Sequence, residues 1–237
     1  EAALNAEATK RFQALVDAAY PRREVPALYV KTRIPAIDAS LSKMGRLMVA
    51  LNWGNETNRE RVRTGYGWNN AQVMAILETL DRRDWTFVQA VWDSLESYRP
   101  QIIAKEQRVK GVAPVMVDAA AFTIRPFNPA GVHEAEVSLR GGYFPLKYED
   151  RLTGRALQNV EVTEANMARA AAFVQSTTRR GHLQAREQGS IGNQYRPRLD
   201  FGVISEHVTQ VIHDLSHHEA LIDVTRVGEV GDEVLRD

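Results

Sequence analysis

Two imidazoles four residues apart are the first place to look for chemistry. His213 and His217 stand in the run His213-Asp214-Leu215-Ser216-His217. On a helix that spacing puts both rings on one face. The run has the shape of H-E-x-x-H with Asp in place of Glu. In that pattern two imidazoles bind zinc and the carboxylate activates a water. The shorter Asp reaches less far toward such a water, and the sequence identifies no third protein ligand, which zinc sites of this kind need. The favoured alternative is that these imidazoles and carboxylates hydrogen-bond each other and nearby backbone along a half-buried helix.

A second group is cationic. Between Thr177 and Arg198 five arginines, Arg179, Arg180, Arg186, Arg196 and Arg198, stand against one acid, Glu187, among several glycines. Such a segment reads either as a solvated loop or as an arm that grips phosphates or carboxylates. A third feature is Glu96-Ser97 at the end of a helical pattern. It resembles the catalytic Glu-Ser of lytic transglycosylases, in which the Glu is a general acid on a glycan. The Gly-rich G-x-x-G-x-x-Q segment of that family is absent. A solvated or paired helix carboxylate is the plainer reading of Glu96. The indoles Trp53, Trp68, Trp85 and Trp92 form the fourth group. Their helical spacing favours packing over ligand stacking, and they are the residues expected to make tertiary or subunit contacts.

The elements that would carry these residues are mostly helical. Apolar residues recur at three and four residues through Val203, Ile204, Val208, Val211, Ile212, Leu215, Leu221, Ile222 and Val224, which predicts one long helix over about 201–227. Asp200 caps its start and Gly228 ends it. Further helices are expected over Ala2–Tyr20, from Ser40 to Leu51, over Glu56–Arg63, after Asn69 or Asn70, and over Thr163–Val174. Thr64 to Asn69 reads as a turn. Asp81 to Asp84 reads as a polar joint. The pattern from Asp84 to Val109 is helical, with a kink or split at Pro100. Tyr29–Ile34 reads as extended. From Gly111 to Tyr148 helical periodicity fades. Short strands are expected at Val115–Val117, Ala121–Ile124, Ala135–Leu139 and Tyr143–Tyr148, and Gly141-Gly142 marks a sharp turn or a close backbone approach. The expected fold is therefore mainly α, an irregular multi-helix bundle with a small β-containing insert at about 111–148. Its parts would be 1–110, 111–150 and 151–237.

Composition narrows the function. The 237 residues hold 30 basic and 30 acidic side chains, so the formal net charge is zero and no global field favours nucleic acid or an anionic membrane. Either partner would need a local patch. There is no cysteine, which removes disulfides, thiolate metal sites and Cys nucleophiles. No apolar run approaches the roughly 20 residues of a membrane span. The chain opens in a helical pattern with no initiator Met, so it reads as a piece of something longer. Neither G-x-x-x-x-G-K-[ST] nor G-x-G-x-x-G occurs, and Ser190 is not in a G-x-S-x-G elbow.

Four stretches taken together carry a resemblance: ALNWGNETNRERVRTGYGW, ILETLDRRDWTFVQAVWDSLESYRP, RGGYFPLKYE, and RPRLDFGVISEHVTQVIHDLSHHEALIDVTR. In this order they resemble a segment of very large phage and prophage proteins, the polyvalent or internal virion proteins. Such proteins travel in the capsid and are ejected with the genome. The resemblance covers about 41–227 and brings no catalytic residues. It implies a structural or scaffold module whose partners are other virion proteins, other domains of the same long chain, or a second copy. It also implies a virion location with delivery to the host envelope or cytoplasm. Two other functions remain open on the residues. One is a nucleic-acid-binding part of a virion enzyme, such as a virion RNA polymerase, acting through the arginines. The other is a hydrolase, zinc-dependent through His213 and His217 or glycan-cleaving through Glu96.

Overall fold

Helices begin where a short polar side chain can satisfy their first free amides. This holds for most of the α-helices of the computed structural model, which describes residues 1–128, 130–149 and 196–216. The fold is mainly helical with two small two-stranded sheets. Helix α1 (Ala2–Ala19) stops at Tyr20, ahead of Pro21. A 3-10 turn, Val25–Tyr29, leads into an antiparallel ribbon of β1 (Lys31–Ile34) and β2 (Ala39–Ser42). Helix α2 (Lys43–Leu51) starts on Ser42, whose Oγ accepts from the Gly45 amide. Asn55 caps α3 (Glu56–Tyr66) in the same way, through the Asn58 amide. Reciprocal capping boxes start α4 (Asn70–Leu77), from Asn69 and Gln72, and α5 (Arg82–Glu96), from Asp81 and Asp84. Pro100 sits in the first turn of α6 (Arg99–Lys110), where its missing N–H costs nothing. Strands β3 (Phe122–Ile124) and β4 (Val137–Leu139) pair antiparallel. Helix α7 is described over 202–216, and Asp200 accepts from the Gly202 amide at its start.

Several boundaries differ from those the sequence predicts. The helix expected from Ser40 begins at Lys43, because Ala39–Ser42 is paired with β1 and the capping hydroxyl is that of Ser42. Only Lys31–Ile34 of the expected extended piece is a strand; Tyr29 closes a 3-10 turn entered through Pro26. Helix α3 runs on through Thr64 to Tyr66 and ends when Gly67 turns left-handed at φ 68°. Asp81 to Asp84 is no joint: it is the capping box of α5. The long pattern from Asp84 splits into α5 and α6. In the insert, β3 and β4 match two of the four expected strands. Tyr148 makes an isolated bridge to Pro197. The expected helix over Thr163–Val174 and the remainder of the long helix, 217–227, lie outside the described residues.

The core is built around α5. Its Trp85, Phe87, Val88, Val91, Trp92 and Leu95 are buried, which leaves only a narrow polar edge. Helix α2 sets Leu47, Met48 and Leu51 beside them, and α4 adds Val73, Ile76 and Leu77. Helix α1 packs across α5, and Phe12 meets Phe201 edge-on at 5.8 Å. The insert joins the same core: Phe122 lies edge-on to Trp85 at 5.7 Å and to Trp92 at 6.4 Å. Ile124, Leu139 and Phe144 are buried in the same apolar cluster. Each indole takes roughly 200 Å² out of water, worth at most about 5 kcal/mol before chain entropy is counted.

Space at this centre is tight enough to test. A Cβ on Gly142 would lie 2.5 Å from Trp92 Cβ, whereas one on Gly67 would meet nothing within 4 Å. Gly142→Ala is expected to lower stability by about 1–3 kcal/mol through displacement of the indole. Gly67→Ala should cost about 1 kcal/mol from its left-handed backbone alone. Urea midpoints of the two variants check the order; equal losses would show that the indole side yields freely.

Candidate functional site: a backbone junction and a buried ionic cluster

Between α2 and α3 the chain turns through Asn52-Trp53-Gly54-Asn55, and here the insert is tied to the helices. The Gly54 carbonyl accepts from the amides of Ala120 and Gly142, both at 2.9 Å. Asn55 Nδ2 donates to the Gly142 carbonyl at 3.3 Å. Asn58 Nδ2 donates to the Phe144 carbonyl at 2.9 Å and to Asn52 Oδ1 at 3.0 Å. The amide of Asn52 in turn donates to the Met48 carbonyl. All three asparagines are buried. Trp92 Nε1 donates to the Leu51 carbonyl at 2.9 Å, and its ring lies where a side chain on Gly54 or Gly142 would stand. Arg59 closes the junction: Nε donates to the Trp53 carbonyl, Nη2 donates to the Ala120 carbonyl, and its guanidinium lies over the Trp53 and Phe122 rings.

The end of the insert continues the junction. Tyr66 Oη donates to the Pro197 carbonyl at 2.6 Å, and its ring stacks on Trp68 at 4.4 Å. Burial pushes the Tyr66 phenol up, with Glu149 adding to the shift and Arg196 opposing it. The Glu149 amide bonds to the Arg196 carbonyl, and the Arg198 amide bonds to the Lys147 carbonyl. Lys147 and Arg198 both reach Glu206 on α7, and their hydrogen bonds hold its carboxyl below the usual range, the Lys147 bond most of all.

A second polar centre sits where α1, α2 and α5 meet. Asp84 is fully buried, yet Tyr20 Oη donates to its Oδ1 at 2.7 Å and Lys43 Nζ lies 2.9 Å from the same atom. Its Oδ2 accepts from the Asp81 amide. Arg46 is near enough that Asp84 supports its charge, but burial is the larger effect and pulls the guanidinium down. Arg46 Nε and Trp85 Nε1 are buried without a hydrogen-bond partner among the described residues. Beside α1, a cleft lined by Phe12, Val91, Leu95, Tyr98, Ile204 and Val208 holds about 20 Å³, room for one water and too little for a substrate.

The residues singled out from the sequence are distributed as follows. Trp85 and Trp92 are wholly buried, Trp53 is nearly so, and Trp68 stacks half-buried on Tyr66. Their contacts are tertiary ones within the chain. Glu96 ends α5; its Oε2 pairs with Arg99 at 3.4 Å, and its Oε1 is buried without a hydrogen-bond partner among the described residues. Ser97 Oγ donates to the Ser94 carbonyl and accepts from Arg11. Arg198 is held by Asp200 and Glu206, and Arg196 lies 5.8 Å over the Tyr66 ring. His213 is exposed, with Nδ1 3.3 Å from Glu1 Oε1, while Asp214 pairs with buried Lys105 on α6. Among the described residues no three His, Asp or Glu side chains gather as a metal ligand set. Arg179, Arg180, Arg186 and His217 lie outside the described residues. The sequence did not point to Asn52, Asn55, Asn58, Arg59 or Asp84. The one available signal was three asparagines at a spacing of three across a helix break.

The buried phenol makes the ionic cluster testable by pH. Burial raises the Tyr20 pKa first, and the Asp84 charge and hydrogen bond raise it further. A raised phenol contributes stability that is complete below its ordinary pKa of about 10 and is lost as pH climbs above that. Tyr20→Phe should cost about 1.5–3 kcal/mol at neutral pH, the value of a hydrogen bond to a charged group. Above about pH 10 the variant should lose stability less steeply than the unaltered chain. Chemical denaturation across that range reads both effects. Parallel pH curves would mean that the phenol is not held against ionisation.

In comparisons with known proteins, no protein-family model matches this chain, and neither does any curated protein or solved structure.

Proposed function

We propose that this chain is a structural module of a large phage virion protein, packaged in the capsid and ejected with the genome. The observation that carries the reading is the junction. Of the four stretches that resemble virion proteins, the third and fourth are distant in sequence from the first two, and they meet there through backbone carbonyls, asparagines and glycines. Asn58 of the first stretch bonds Phe144 of the third, and Tyr66 of the first bonds Pro197 of the fourth. Trp92 of the second lies against Gly54 and Gly142. The residues that make these stretches distinctive are thus engaged in holding one backbone arrangement, which is what a scaffold requires. Partners on this reading are other virion proteins, other domains of the same chain, or a second copy.

The test uses virions of a phage or induced prophage that encodes the chain. An antibody against residues 1–110 is applied to purified particles before and after genome ejection in vitro. The chain is expected in intact particles and is expected to be depleted from emptied ones. Presence in the lysate together with absence from purified particles would overturn the proposal. Retention in emptied particles would overturn ejection while leaving a capsid-bound scaffold.

A further inference from the structure

Although the whole chain is neutral, its cations are unevenly placed. From Arg22 to Arg33 the chain carries four basic residues, Arg22, Arg23, Lys31 and Arg33, against one acid, Glu24. Glu24 is engaged with Arg83 at 2.7 Å. Arg22, Arg23 and Lys31 are exposed and take part in no ion pair among the described residues. Successive turns close through Glu24 to Pro21, Ala27 to Glu24 and Val30 to Ala27. At a rise of about 2 Å per residue they hold Arg22 and Lys31 within roughly 20 Å.

The ribbon that follows sorts its side chains by face. Lys31 pairs with Ser42 and Arg33 with Ser40, so both cations stand on one face with hydroxyls across from them. The other face turns Ile34 and Leu41 inward. Arg33 also contacts Asp38 but stays 68% exposed, so solvent screens that pair and the guanidinium remains reachable. Between the two cationic groups stands Tyr29, 62% exposed, a large planar ring left in water.

We propose that Arg22, Arg23, Tyr29, Lys31 and Arg33 form a contact surface for single-stranded nucleic acid. The cations take backbone phosphates, and the Tyr29 ring takes one base by stacking. Chemistry favours this partner over the others. Phosphates match a cationic strip with neighbouring hydroxyl donors. An exposed ring flanked by cations is the usual platform for an unpaired base, and a duplex keeps its bases stacked on each other. A membrane surface would call for a broader apolar face, and here one ring and Val30 stand among charges. The inference does not depend on the virion reading. It concerns residues other than the arginines at 179–198.

Fluorescence anisotropy with a labelled oligothymidylate of about 16 nucleotides tests it. The salt range is about 50 to 200 mM. The unaltered chain should bind at the low end and weaken steeply with salt. Replacing Arg22, Arg23 and Lys31 by Gln should reduce the slope of log K against log salt by about 2, at about 0.7 per phosphate. Tyr29→Ala should weaken binding about 5- to 150-fold with the slope unchanged, and Tyr29→Phe should restore it. All these positions are exposed, and circular dichroism with a urea midpoint verifies that each variant is folded; Lys31→Gln alone carries the charge test if the triple variant is not. No binding at low salt would overturn the proposal. So would binding that ignores both sets of variants, or binding lost on Arg179→Gln, Arg180→Gln and Arg186→Gln instead. Tighter binding to the matching duplex or to phosphatidylserine vesicles, removed by the ribbon variants, would assign the surface to that partner and overturn it equally.

Discussion

One carbonyl oxygen, that of Gly54, fixes how the insert meets the helices. It accepts two amides, from Ala120 and Gly142, and so uses both of its lone pairs. Both bonds require the backbones to come closer than any side chain permits. A Cβ on Gly54 would stand 2.5 Å from the Trp92 ring and 2.6 Å from the Gly142 carbonyl oxygen. The rest follows from that approach. With the insert drawn in, Phe122 reaches Trp85 and Trp92, and the Phe144 carbonyl comes within reach of Asn58. The loop backbone is thereby buried with its polar groups paired, which is the condition for burying a loop at all. Gly141 supports the turn at φ 74°, where a β-carbon would be strained.

The other end of α5 is fixed by charge. Asp84 serves twice: its amide and its Oδ2 complete the capping box with Asp81, and its Oδ1 gathers Tyr20 from the end of α1 and Lys43 from α2. A buried carboxylate is costly to desolvate, and these contacts offset that cost only when all are present. The cluster therefore adds less to net stability than its contacts suggest. It does penalise any rotation of α1 or α2 that would break it, because Asp84 would be left buried and short of donors. An apolar replacement would tolerate such rotations. With Trp92 anchored at one end and Asp84 at the other, α5 has little freedom left.

How much of this could be read from the sequence depended on range. Local rules worked where the deciding contact lies within a few residues. The 3.6-residue period found the stripe of α5, Pro100 split the long pattern, and Gly141-Gly142 was legible as a close approach. Boundaries were misplaced where two local signals competed. Ser40 and Ser42 both offer a hydroxyl, and only pairing with β1 decides which one caps. The junction was illegible because its partners are far apart: Asn58 and Phe144 are separated by 86 residues. Three asparagines near a helix break read equally well as caps or solvated turns. On the sequence the indoles read as packing residues, Glu96 as a paired or solvated carboxylate, and the arginines as a solvated loop or a phosphate-gripping arm. Arg59 and Trp92 also bond distant backbone carbonyls, and Arg198 pairs with Asp200 and Glu206, roles that residue type alone does not announce.

The same pairing explains why surface character is local in this chain. Several charges are matched across elements: Arg83 with Glu24, Arg82 with Glu134, Arg140 with Asp93, and Lys147 and Arg198 with Glu206. Each match links two elements and removes a cation from the surface field. Residues 22–33 differ because their elements are short and their inner face is already occupied by Leu28, Ile34 and Leu41. The ribbon is anchored from below: Ser42, its last residue, caps α2, and Ile34 is buried in the core. Lys31 and its neighbours Arg22 and Arg23 therefore stand beside a fixed backbone, and among the described residues no acid is set against them. A surface held in this way gives up little chain entropy when it binds, so more of each contact's energy goes into affinity. The burial that holds the rest of the molecule together also leaves Arg22, Arg23 and Lys31 without a matching acid among the described residues.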